Sequence, residues 1–132
     1  MNRPRFSDLI NKDFFPKNGI ALDLGCHKGR ESGKLIEIGF EVDAVDIDNL
    51  VDIKGPKFNF IQQDIKDFNI KKDSYNLVLA YYVLPFLKDK ELIQKTIDSI
   101  KNGLKKGELA IITLFGDKHE WNGKRGKIAF FQ

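Results

Sequence analysis

Cysteine is almost absent. The single one, Cys26, cannot close an intramolecular disulfide, and no Cys/His cluster has the spacing of a zinc site. A disulfide scaffold and a zinc module are thereby excluded, and a reducing compartment fits best. Long apolar runs are missing too: the longest, residues 77–87, is too short and too interrupted to cross a bilayer. The first residues lack the basic-then-apolar order of a secretion signal, so a cytoplasmic location with no membrane partner is expected. Nor does charge of one sign prevail. Lys and Arg number 22 against 19 Asp and Glu, for a net charge of +3, and the two signs are interleaved, which argues against nucleic acid as a partner. The densest basic stretch, residues 118–127, also holds Glu120 and Trp121 and reads as a solvated loop.

What is present is an ordinary globular composition, 42% hydrophobic and 31% charged over 132 residues, enough for one domain around one core. Phe6, Leu9, Ile10 and Phe14 lie at near-helical spacing and predict a short leading helix over residues 5–15. Residues 19–24 form a compact apolar stretch ending in Gly25, and residues 31–38 follow with helix formers around Leu35 and Ile36. That is strand, glycine turn, helix. Residues 40–47 predict a second strand after Gly39, and residues 58–61 a third. The crossover between these two has only about ten residues and includes Gly55-Pro56, so its helix should be one turn or none.

Residues 75–82 are rich in β-formers and almost continuously apolar, as a central strand covered on both faces should be. Asp89 is a plausible cap for a helix whose stripe is Leu92, Ile93, Ile97, Ile100 and Leu104, ending near Asn102-Gly103. Gly107 precedes another buried-type strand over residues 108–115, and residues 127–131 are the last ordered-looking segment. Alternating strands and helices predict an α/β fold, a Rossmann-like doubly wound parallel sheet of about five strands with a ligand crevice at their carboxyl ends.

The turn between the first strand and helix, Leu22-Asp23-Leu24-Gly25-Cys26-His27-Lys28-Gly29-Arg30, brings main-chain N–H groups and a helix amino terminus to a ligand. Its spacing, Asp-x-Gly-x-x-x-Gly, does not fit the dinucleotide pattern Gly-x-Gly-x-x-Gly. It resembles that of the class I S-adenosylmethionine-dependent methyltransferases, and within them the small tellurite-resistance and thiopurine methyltransferase type, whose motif is (Asp/Glu)-x-Gly-x-Gly-x-Gly. The resemblance implies S-adenosyl-L-methionine as cofactor. Asp23 would hold its methionine end and Gly25 and Gly29 would form the turn, with His27 standing where the family has its middle glycine.

It also implies that Asp46, about twenty residues after Gly25 at the end of the second strand, accepts the ribose hydroxyls. Ile47 would touch the adenine ring, and in Gln63-Asp64-Ile65 a carboxylate and a main-chain N–H would read its edge. Asp43 and Asp48 flank Asp46, so the register could slip by two. The alternative for Asp64 is a cap or a solvated charge. The run from Tyr75 to Leu87 resembles the family's fourth motif, in which the strand end at Ala80 passes under the cofactor, with Asn76 where the family often has Asp.

Methyl transfer from a sulfonium is an in-line displacement with a good leaving group, so positioning and a dry site can supply much of the rate. The lack of a recognisable nucleophile is therefore compatible with an enzyme, and no catalytic base is assigned. Tyr81, Tyr82 and Phe115 could face a cationic donor or simply pack in the core, and His119 has no assigned role. A small-molecule acceptor, aromatic, thiol or oxyanion, is expected. The alternative is an impaired cofactor-binding module or fragment. Family members continue with a further helix and an antiparallel strand pair, so residues 1–132 read as one domain truncated at its carboxyl end. Residues 108–115 would then sit at an edge and invite self-association, unless residues 128–131 or a partner cover them.

Overall fold

The structure, a computed structural model, describes residues 18–80, 88–114 and 127–131. Strands β1 (Gly19–Leu24), β2 (Phe40–Asp46), β3 (Phe58–Gln62), β4 (Tyr75–Ala80), β5 (Leu104–Leu114) and β6 (Lys127–Phe131) form one sheet in the order β3-β2-β1-β4-β5-β6. Helix α1 (Arg30–Glu37) follows β1, and α2 (Lys90–Gly103) joins β4 to β5. The first five strands are parallel and β6 runs antiparallel to β5. The strand order reverses between β1 and β4, and the crevice of such sheets opens at that point, outside the strands' carboxyl ends.

Two apolar layers, one on each side of the sheet, explain why β1 and β4 read as nearly continuous hydrophobic runs. Leu22, Leu24 and Val78 pack in one cluster with Ile93, Ile97 and Ile100 of α2. Their alternates Ala21, Leu77 and Leu79 pack in the other with Leu35 of α1, Phe40 and Val42. Full burial of each such Leu, Ile or Phe contributes about 1.5–3 kcal/mol. Asp89 caps α2 as its position suggested, its Oδ1 accepting from the N–H groups of Glu91 at 2.9 Å and Leu92 at 3.4 Å.

Three details differ from, or sharpen, the sequence reading. The crossover from β2 to β3 contains no helix at all; it leaves a surface hollow of about 300 Å³ bordered by Ile36, Ile53 and Phe58. Strand β5 starts at Leu104, not near residue 108. The reason is the end of α2, where the carbonyls of Asn102 and Gly103 accept from the N–H groups of Asp73 and Ser74, both at 2.9 Å, which lays Leu104 beside Tyr75.

The third detail is a correction at the sheet edge. Strand β6 pairs with the outer side of β5 from Ala110↔Phe131 to Leu114↔Lys127. One antiparallel strand is therefore present, and of the coverings left open by the sequence it is the chain's own last strand that satisfies β5. With β6 in place, the outer side of β5 is paired along residues 110–114. The leading helix expected over residues 5–15 lies outside the described residues. None of the helices among the described residues is long and apolar enough to cross a membrane.

Candidate functional site

The β1–α1 turn is fastened to the end of β2 by main-chain bonds: the N–H groups of Gly25 and Cys26 both donate to the carbonyl of Val45, at 2.7 and 3.1 Å. Left-handed backbone recurs at alternate positions, with φ of 74° at Gly25, 50° at His27 and 89° at Gly29. At Gly29 a side chain is excluded twice over, by that φ and because a Cβ would lie 2.7 Å from Ile53 Cδ1 of the crossover. His27 takes the left-handed conformation with its side chain exposed to solvent, so the chain path a glycine would allow is kept.

Asp46, the last residue of β2 and 7% exposed, organises the crevice side of this turn. Its Oδ2 accepts from the His27 N–H at 2.8 Å and its Oδ1 from the Asp48 N–H at 3.0 Å. Its carbonyl accepts from Gln63 N–H at 2.9 Å, which brings the Gln63-Asp64-Ile65 segment to the same end of the sheet. The strand register therefore places Asp46 at the β2 end. Asp43 lies within the strand, where it accepts from Tyr75 OH at 2.8 Å, and Asp48 lies beyond it. Two aliphatic side chains that follow Asp46 in the chain are left in solvent, Ile47 at 58% and Leu50 at 52% exposure.

The remaining expected residues are placed less directly. Asp64 is half-buried and its Oδ1 accepts from Lys66 N–H at 3.1 Å, so it shapes its own loop; no described hydrogen bond joins it to the Asp46 group. The side chain of Ile65 is partly buried and packs against the core. Ala80 is fully buried at the last position of β4. Tyr81, Tyr82, Phe115 and His119 lie outside the described residues.

Asp23 is 2% exposed and sits in mid-sheet between Ala44 and Leu79. Burial pushes its carboxyl up from the ordinary 3.8 to about 7; the charges of Glu31 and Asp46 push the same way, and the Ser32 hydroxyl and main-chain N–H oppose. Ser32, on the first turn of α1, donates from Oγ to Asp23 Oδ2 at 2.6 Å. Sequence reasoning passed over Ser32; its placement nine residues after Asp23, on the buried stripe with Leu35, was the available signal. Cys26 is buried, and burial with the nearby Asp23 and Asp46 raises its thiol to about 12, so it is no nucleophile at neutral pH. Among the described residues no group of three His, Cys, Asp or Glu could hold a metal ion.

A pH dependence follows from Asp23. The unfolded chain gives up this proton near 3.8 and the folded one near 7, so the group withdraws stability as pH rises through that interval. Asp23→Asn keeps an acceptor for Ser32 and cannot ionise. It should be less stable than the parent near pH 4, where a buried amide replaces a protonated carboxyl, and gain on it steadily toward pH 8, because only the parent loses the stability tied to a carboxyl raised from 3.8 to about 7. Thermal denaturation at both pH values checks this.

Residues 3–124, nearly the whole chain, match the family described as Tellurite resistance protein TehB. The chain belongs to the TehB family. No curated protein sequence matches it. The fold of this TehB-family chain is similar to that of an S-adenosylmethionine-dependent methyltransferase of Methanosarcina mazei, at 18% identity and a TM-score of 0.69, over 89% of this chain and 60% of that one. It is also similar to the 1,6-didemethyltoxoflavin-N1-methyltransferase of Burkholderia thailandensis, solved with 1,6-didemethyltoxoflavin and S-adenosylhomocysteine bound. There identity is 17% and the TM-score 0.62, over 76% and 46% of the chains. The N-methyltransferase NodS of Bradyrhizobium japonicum, solved with S-adenosylhomocysteine, gives 18%, 0.63, 83% and 60%. At these identities the likeness concerns the fold, and the chain spans 46–60% of the length of the three.

Proposed function

We propose that this TehB-family chain binds S-adenosyl-L-methionine and acts as a class I methyltransferase on a small-molecule acceptor in the cytoplasm. The observation that carries the reading is the Asp46 carboxylate, 7% exposed between two main-chain donors and followed in the chain by the exposed Ile47 and Leu50. A carboxylate next to unpartnered aliphatic surface fits a ribose joined to an apolar ring, since each carboxylate oxygen accepts more than one hydrogen bond. The donor set fits the rest of the group: bare backbone at Gly25 and Gly29, the buried carboxyl of Asp23 for an ammonium, and Asp64 with the Ile65 N–H for an adenine edge. When bound, the cofactor supplies a methyl group on a sulfonium. The chain's own part is to bind, orient and keep water out, with the apolar end of β4 at Ala80 as floor of the site. A reduced Cys26, buried and unpaired, accords with the cytoplasm.

Calorimetric titration with S-adenosylmethionine and S-adenosylhomocysteine, beside NAD and ATP, tests the reading. Micromolar-range or weaker binding of the first two alone is expected. No heat and no thermal shift with either at millimolar concentration would refute it, and binding without turnover of thiol, aromatic or oxyanion acceptors would favour a cofactor-binding module. His27→Gly should leave the fold intact and stabilise it by up to about 1 kcal/mol, because glycine adopts positive φ without strain. Cofactor affinity should rise or stay unchanged; a severe loss would make the imidazole a ligand contact.

A further inference from the structure

We infer that Ser32 is a positioning residue for an ammonium-bearing ligand: its hydroxyl, 2.6 Å from Asp23 Oδ2 and with neither residue more than 2% exposed, fixes the Asp23 carboxylate for that cation. The inference rests on the proposed cofactor reading and deepens it. Asp23 lies on a β1 position whose sheet neighbours are Ala44 and Leu79, which offer it no side-chain donor. The charges turned toward it, Glu31 on α1 and Asp46 on β2, are both negative, and the thiol of Cys26 in the turn stays protonated. Among the described residues, the groups that favour the ionised form both belong to Ser32, its hydroxyl and its main-chain N–H.

Among the described residues no cation faces this carboxylate. An amino-acid ammonium arriving from the turn side would supply one, and the carboxyl must lose its proton to receive it. The hydroxyl's hydrogen bond occupies Oδ2 and holds the group in one rotamer, so the ligand's donor meets a carboxylate already oriented. Without the hydroxyl the carboxyl would hold its proton to a higher pH and could rotate.

The test compares S-adenosylhomocysteine, which carries the amino-acid end, with 5′-methylthioadenosine, which has the same adenine, ribose and thioether without it. Ser32→Ala should weaken S-adenosylhomocysteine about tenfold at pH 7, as expected for loss of one hydrogen bond to a charged group. It should leave 5′-methylthioadenosine within about twofold, and move the midpoint of the pH profile of S-adenosylhomocysteine binding upward. Ser32→Cys, close in size and a poor donor, should behave alike and serves if alanine unsettles the buried site. Equal loss of both ligands, or an unmoved pH profile, overturns the inference while leaving the cofactor reading in place. Failure of the unsubstituted chain to bind either ligand overturns both.

Discussion

Asp46→Ala should weaken S-adenosylhomocysteine ten- to a hundredfold, about 1.5 to 3 kcal/mol, the cost of a charge-assisted acceptor lost from the site. The effect should be large because the carboxylate has two tasks. Besides any ligand hydroxyls, it accepts the N–H of His27 in the turn and that of Asp48 in the crossover, so its removal leaves both donors without their acceptor and slackens the turn itself. Folding stability should fall too, by about 1–2 kcal/mol. Asp46→Asn keeps one accepting oxygen and should be intermediate. Asp48→Ala retains the main-chain N–H and should alter affinity by no more than about threefold. Titration of all three, with thermal denaturation alongside, checks the ranking; a larger effect from Asp48 than from Asp46 would contradict the assignment of Asp46 to the ribose.

Phe40→Ala should cost about 3–5 kcal/mol of folding stability. Phe40 is wholly buried at the first position of β2 and belongs to the cluster that seats α1 on the sheet. A small domain has only about 5–15 kcal/mol in total, so the variant should be close to unfolding at ambient temperature. Phe58, half-buried at the margin of the same cluster, should lose clearly less when truncated. Chemical denaturation gives both numbers, and equal losses would mean that the margin is as tightly packed as the centre.

Most of the fold was legible because hydrophobic period and glycine turns coincide in this chain. Residues 19–24 and, as far as they are described, 75–80 could be assigned to strands from their almost continuous apolar character, which two covering layers require, and α2 from its stripe and its Asp89 cap. The start of β5 was not legible. Leu104 to Gly107 holds two lysines and a glycine, and nothing local marks it as a strand; its pairing comes from hydrogen bonds that the end of α2 makes with residues 73 and 74. The antiparallel β6 was one of several coverings that composition could not choose among.

In the candidate site, Asp46 was distinguishable from Asp48 only once a register existed, since a slip of two keeps the face, whereas Asp43, three positions away, falls on the opposite face. Ser32 was missed for a related reason. A serine on an amphipathic helix looks like solvent-facing filler until the sheet beneath it shows a carboxylate at the matching height.

The helix-free connection between β2 and β3 also bears on how this chain can vary in length. Residues 51 and 53 lean on Gly29 through the side chains of Val51 and Ile53, whereas nothing lies within 4 Å of where a Cβ would stand on Gly55. Loops lengthen at little thermodynamic expense where they touch nothing. Insertions at Gly55-Pro56 can therefore accumulate without disturbing the ligand end, while a single-residue deletion before Ile53 would draw its side chain off the turn, so drift in this connection is free on one side and closed on the other.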